Sequence, residues 1–354
     1  DTVARLGGDE FCIIINDVED NADIIHIADN ILNALNKQAE IKGRNINITT
    51  SIGISLYPDD GVEATDLIKC ADMAMYHAKE KGKNNFQFFE EFLNVNAQKR
   101  LEFERKIKDA HNHDEFQMYY QPQFDMLSGE LIGVEALIRW LDDGRVVLPS
   151  EFIPISEESS LINDLGRWVV GRACQEFKAL LDAGFPEVKL AINISANQFQ
   201  QADELLDTID AALESSGLSG NLVQLELTES ALIDDVEGTI AIIETLKKKG
   251  ITFAIDDFGT GYSSLSYLKV FPVDVIKIDQ SFIHDIEHDA NNRTIISAIT
   301  VMAHELGFKV LAEGVETQHQ LDQLQQYKCD YVQGYHYAAP MAGADLLAQY
   351  KAAL

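Results

Sequence analysis

Seven short apolar runs, each ending on a polar or charged residue, limit the possible folds of this chain more than any other feature. Leu131–Val134 ends on Glu135, Lys189–Ile192 on Asn193, Leu222–Leu225 on Glu226 and Phe253–Ile255 on Asp256. Val273–Ile276 ends on Lys277, Lys309–Ala312 on Glu313 and Tyr331–Val332 on Gln333. From Asn193 onward the tips fall roughly 20 to 36 residues apart, which is room for one crossover helix between parallel strands. About 240 residues of such α/β units suit a closed, TIM-like (β/α)8 barrel. The C-terminal strand ends of a barrel face one mouth, so the pattern gathers Glu135, Asn193, Glu226, Asp256, Asp257 and Glu313 in one place. Acids so close together repel unless cations sit among them. An oxygen-rich ligand set suits Mg²⁺ or Mn²⁺ better than zinc.

The stretch Ile251–Leu265 concentrates this pattern. A short apolar run with β-branched residues ends on Asp256 and Asp257 and passes into a Gly/Ser loop. Asp and Gly also make ordinary solvated turns. Carboxylates are seldom buried without a partner, however, so a core strand that ends on two of them favours a grip on something positive.

Composition narrows the class. With 354 residues, of which 46% are hydrophobic, the chain has room for two domains, or for one large barrel with an added piece. No apolar run is long enough to cross a bilayer and no signal-peptide pattern opens the chain. Its first residue is Asp1 rather than Met, so a piece of a longer protein is expected, with room upstream for an anchor or sensor domain. Cys12, Cys70, Cys174 and Cys329 are scattered, which argues against a disulfide framework or a zinc site and suits a reducing cytoplasm. The formal net charge of -30 disfavours DNA, RNA and anionic membrane as partners. An anionic substrate requires metal ions and a few placed cations to reverse the local field.

Residues 1–92 read as a first unit. Two strands, Val3–Leu6 and Phe11–Ile15, flank a turn at Gly7, Gly8, Asp9 and Glu10, as in a hairpin. Ala22–Leu35 and Leu67–Ala78 have helical spacing, and Ile46–Leu56 alternates as a strand. The segment Arg5–Phe11 resembles the signature of the GGDEF family, the diguanylate cyclases, and Ala71–Lys79 resembles that family's last helix. The resemblance implies glycines that let the backbone approach GTP, and an acidic pair, Asp9 and Glu10, that helps with metal and nucleotide. Only the C-terminal half of such an α+β domain matches. As it stands the segment is expected not to make cyclic di-GMP and to be the less stable part. Residues 93–114 read as a charged linker helix, with Leu93, Leu101, Phe103 and Ile107 as inward positions. The barrel is expected over residues 115–354.

Over that second region the motifs Tyr120-Gln121-Pro122, Glu135–Trp140, Asn193–Gln198, Glu226–Glu229, Asp256–Gly261, Lys277–Asp279, Glu313–Glu316 and Gln333–Tyr335 occur in order. Together they resemble the EAL family, the cyclic di-GMP-specific phosphodiesterases. The resemblance implies hydrolysis of cyclic di-GMP to linear pGpG by water activated between two Mg²⁺ or Mn²⁺ ions. It casts Glu135, Asn193, Glu226, Asp256, Asp257 and Glu313 as metal ligands, Glu313 directly or through water. It makes Lys277 a general base or an electrostatic stabiliser, with that choice open. Arg139 is expected on a phosphate oxygen, Gln121 and Gln333 on the substrate with Gln333 at a guanine edge, and Glu229 as anchor of the loop Gly259–Ser264. In the family this loop links metal occupancy to a homodimer through the barrel.

Asp279 reads as a supporting residue, Trp140 and Phe258 as packing, and Gln198 as either structural or functional. The histidines show no ligand spacing. Val270 and Ala339 stand where the family often has basic residues, which bears on affinity or dimer contacts rather than competence. The residues also admit two other readings. One is a silent cyclic di-GMP receptor; the other is a bifunctional parent whose GGDEF half senses GTP or makes the cyclic dinucleotide.

Overall fold

The computed structural model describes the chain apart from residues 17, 19–20, 36–38, 42–43, 47–48, 90–102, 111–112, 114, 143, 158, 160, 233–235, 261–267 and 354. It divides into two compact units, Asp1–Phe103 and Glu104–Leu354. Among the described residues, no helix is long and apolar enough to cross a membrane.

The second unit is an eight-stranded closed barrel. Its strands are β1 (Phe116–Asp125), β2 (Leu131–Asp142), β3 (Lys189–Ile194), β4 (Val223–Thr228), β5 (Thr252–Phe258), β6 (Val275–Ile278), β7 (Lys309–Ala312) and β8 (Tyr331–Val332). Each pairs with the next, and β8 closes the ring on β1. From β2 to β8 all pairings are parallel, as the seven apolar runs predict.

The closed barrel matches the expected TIM-like fold, with one variation in β1. This strand is antiparallel to both β2 and β8. The short loop after Asp125 has no room for a crossover helix, and only an antiparallel pair can be joined so tightly. β2 also runs on to Asp142, so Glu135 lies within the strand rather than at its tip.

Side chains alternate with period two along each strand. Ala254 on β5, Val275 on β6 and Leu311 on β7 pack as one buried cluster, with Tyr331 of β8 against it. Two residues further along the same faces come Asp256, Lys277, Glu313 and Gln333. An apolar layer thus floors a polar one. The opposite faces carry residues such as Phe253, Ile276 and Val310, each fully buried. Burying a side chain of this kind contributes about 1.5–3 kcal/mol.

In the first unit, Thr2–Gly7 and Glu10–Ile14 form the expected hairpin. Its turn is held by Arg5, whose Nε donates to the Gly8 carbonyl at 2.9 Å. The helices Asn21–Leu35 and Ala64–Glu80 also match expectation. Among the described residues, the strand expected over Ile46–Leu56 is not continuous. Arg44–Ile46 pairs with Ala39–Ile41, whereas Ile52–Ile54 pairs in parallel with Phe86–Phe88. Gly53 presses on the helix Ala64–Glu80 so closely that a Cβ would sit 1.9 Å from the Ala71 carbonyl oxygen. The chain has changed partners between the two segments.

Of the expected linker helix, residues 103–110 are described and helical. Ile107 and Ala110 are buried there, and Lys106 pairs with Asp142 of β2 at 3.2 Å. Leu93 and Leu101 lie outside the described residues.

Candidate active site

At the barrel mouth four strands deliver carboxylates to one cation. Lys277 Nζ lies 2.5 Å from Glu226, 2.7 Å from Glu313, 3.0 Å from Asp256 and 3.6 Å from Glu135. The lysine is completely buried. Burial opposes its charge, but Asp256, Glu135, Glu226 and Glu313 outweigh that and hold its pKa well above the usual lysine value. Lys277 is therefore a fixed cation in this arrangement.

The acids fare differently from one another. Burial pushes Glu226 well above the usual carboxylate range, and Lys277 only partly offsets this against the neighbouring Glu135 and Asp256 charges. Burial likewise raises Glu313 to about 8. Glu135 is just as deeply placed, yet Lys277 and donors from Gln333 and Asn193 overcome the burial and hold its pKa below normal. The contrast has a structural cause. Glu135 accepts from Asn193 Nδ2 and from Gln333 Nε2, each at 2.6 Å. Glu226 Oε1 has no hydrogen-bond partner among the described residues.

Asp256 and Asp257 reach the mouth by an irregularity in β5. Adjacent residues of a regular strand point to opposite faces. Here the β5–β6 register shifts between Ile255 and Phe258, and Asp257 takes a left-handed φ of 52°. An extra residue with such a φ turns both carboxylates to one side. Oxygens of Asp256, Asp257 and Glu313 can then lie within 4.8 Å of one another. Burial, Asp256 and Asp279 together lift Asp257 to about 6. Asp279 also caps the helix Gln280–His284 by accepting from Ser281 N at 3.0 Å.

This donor set fits divalent cations. Its carboxylates outnumber the single lysine, and a buried oxygen of Glu226 lacks a donor. An acid that burial and crowding keep protonated is one from which a divalent cation can displace the proton. All-oxygen donors with an amide, Asn193, match Mg²⁺ or Mn²⁺ chemistry.

The expected substrate residues are less open than the sequence suggests. Gln121 and Gln333 are buried. Gln333 Nε2 donates to Gln121 at 3.0 Å as well as to Glu135, and Gln121 Nε2 donates to the Ala338 carbonyl at 3.2 Å. Both amide hydrogens of Gln333 are thus engaged inside the barrel rather than presented to a base edge. Arg139, on the same face of β2 as Glu135, has no carboxylate partner among the described residues. Its Nη1 donates to the Ile138 carbonyl at 2.8 Å, and its guanidinium lies 5.6 Å from the Tyr119 ring centre.

Glu229 accepts from Gly259 N at 3.4 Å. It thereby touches the start of the loop assigned to it, of which residues 261–264 lie outside the described residues. Gln198 is in a capping box with Ser195 and packs on Gly166, a structural placement. Gly7, Gly8, Asp9 and Glu10 are all exposed at the hairpin turn of the first unit. Sequence reading missed Gln123, whose Nε2 donates to Gln333 Oε1 at 2.9 Å. Its spacing of two from Gln121 was the available signal.

Comparison with known families matches residues 104–340 to the EAL domain, and residues 1–85 to "Diguanylate cyclase, GGDEF domain". The bifunctional diguanylate cyclase/cyclic di-GMP phosphodiesterase MucR of Pseudomonas aeruginosa is 39% identical over 349 residues, covering 98% of this chain and 51% of that protein. The cyclic di-GMP phosphodiesterase NbdA of the same organism is 39% identical over 347 residues, covering 98% of this chain and 44% of NbdA. The chain thus spans about half the length of the curated relatives it matches. A solved structure of the MucR phosphodiesterase in complex with c-di-GMP has a TM-score of 0.67 at 37% identity, covering 69% of this chain and 99% of that one.

Proposed function

The chain belongs to the EAL domain family, and from that premise we propose that its barrel hydrolyses cyclic di-GMP to linear pGpG in bacterial second-messenger signalling. The observation that carries the reading is the ring of carboxylates around Lys277, with a buried Glu226 oxygen left without a donor. Glu135, Asn193, Glu226, Asp256, Asp257 and Glu313 would hold two Mg²⁺ or Mn²⁺ ions. When bound, such ions supply positive charge to the phosphodiester and make water acidic enough to attack it near neutral pH.

The chain's own residues do the rest. Arg139, a cation without a carboxylate partner among the described residues, grips a non-bridging phosphate oxygen. Lys277, kept charged by its acids, orients them and adds a fixed positive charge at the reacting phosphate. In the metal-free chain that charge suits an electrostatic stabiliser; divalent ions on the same acids would lower the lysine's pKa, which keeps general base as its second role. Asn193 and Gln333 fix the carboxylate plane of Glu135. Gln121 and Gln333 reach a guanine edge only by releasing part of their mutual hydrogen bonding. Glu229 ties the loop at Gly259 to the site. A cytoplasmic parent protein with an upstream sensor, and a homodimer through the barrel, complete the proposal.

The test is incubation of the chain with cyclic di-GMP and Mg²⁺ or Mn²⁺, with products separated by ion exchange. The reading predicts pGpG from the wild type, none with a chelator, and about a hundredfold or greater loss in Glu226→Gln. Tight binding without turnover would instead make the barrel a receptor.

A further inference from the structure

We propose that Gln123 is a positioning residue for the metal centre, acting through Gln333 on Glu135. The inference rests on the reading of Glu135 as a metal ligand. Gln123 lies on β1, in register with Gly133 of β2, just as Gln121 is in register with Glu135. It is 2% exposed. A Cβ at position 133 would stand 2.8 Å from Gln123 Oε1, so the glycine leaves room for this amide one layer below the carboxylates.

The directions of the hydrogen bonds give the argument. The carboxylate of Glu135 and the carbonyl of Ala338 can only accept. Gln333 must therefore aim its NH₂ group at Glu135, and Gln121 must aim its own at Ala338. Gln121 Oε1 then takes the second hydrogen of Gln333. This leaves Gln333 Oε1 facing away from the site and in need of a donor, which Gln123 Nε2 supplies at 2.9 Å. With Gln123 in place every polar atom of the Gln333 amide is used. A flipped Gln333 would set oxygen against Glu135, oxygen against Gln121 and NH₂ against NH₂. Gln123 thus locks the orientation that gives Glu135 its donor. Residues that orient a ligand in this way typically change metal affinity 10- to 100-fold.

The experiment is Mn²⁺ titration of the full chain by calorimetry, in wild type, Gln123→Met, Gln333→Met and the double variant. Methionine has nearly the volume of glutamine and no amide, so packing is kept and the lock is lost. Gln123→Leu stands in should the methionine variant not fold. The expected result is about tenfold weaker Mn²⁺ binding in the Gln123 variant, with metal-free circular dichroism unchanged. In the Gln333→Met background the same change should add less than about twofold, because the two residues act in series. Unchanged affinity in the single variant, or independent losses in the double, would overturn the proposal. A wild type that takes up no Mn²⁺ would overturn the metal reading and this inference with it; normal uptake with an inert Gln123 would sink the inference alone.

Discussion

At the scale of single residues, Lys277 and its acids show how one buried cation can organise a site and still leave it short of positive charge. Removing one partner from a buried charge network typically costs about 3–5 kcal/mol, since the others stay buried. Lys277→Met should therefore destabilise the metal-free chain, and more at pH 8 than at pH 5, where the acids can take up protons. Mn²⁺ should recover part of the loss. Thermal unfolding at both pH values, with and without Mn²⁺, checks this. Asp330 presents the opposite case. It accepts from Val310 N at 3.0 Å, Lys309 Nζ at 2.6 Å and His304 Nε2 at 2.7 Å. These partners outweigh its burial and hold its pKa below the usual carboxylate value. A depressed folded pKa gives stability that is present above the unfolded value of about 3.9 and is lost as pH falls through the folded one. The stability gap between wild type and Asp330→Asn should thus shrink as pH falls from 5 towards 3 in denaturant titrations. The carboxylates were legible in the sequence because each follows an apolar run. Gln123 offered only its spacing of two from Gln121, which puts both on one face of the strand but does not say which amide faces which.

At the scale of elements, β5 is the informative strand. A Gly/Ser loop after two acids suggested a grip on something positive, but not how neighbours in sequence could share one face. The register shift and the left-handed Asp257 supply that answer. Asn tolerates this conformation nearly as well as Asp, whereas a β-branched residue does not. Asp257→Asn should fold as stably as the wild type and bind Mn²⁺ about tenfold more weakly. Asp257→Val should lose affinity too and cost a further ~1–3 kcal/mol of stability. Chemical denaturation beside metal titration separates the two effects, and equal stability of the two variants would contradict the account of the bulge. The antiparallel β1 escaped the sequence pattern for a related reason. It begins no strand–helix unit, so the repeat that revealed its seven partners passed over it.

At the scale of the whole molecule, the repeat length and the polar strand ends were enough to foresee a barrel with an acidic mouth. They could not foresee that one strand runs backwards, nor that the first unit's expected long strand is divided between two partners. Closure of the ring matters for function because it puts residues from Gln121 to Gln333, at opposite ends of the unit, into hydrogen-bond contact. The chain's charge of -30 then makes local cations decisive for any anionic substrate. The proposed two-ion phosphodiesterase centre ties hydrolysis at this mouth to its metal content. Its most direct test is cyclic di-GMP hydrolysis measured across a Mn²⁺ titration, with bound Mn²⁺ counted on the same samples. The expected result is no product without metal and a rate that rises with occupancy up to two ions per chain. Hydrolysis undiminished by chelation, or full occupancy with no product, would contradict it.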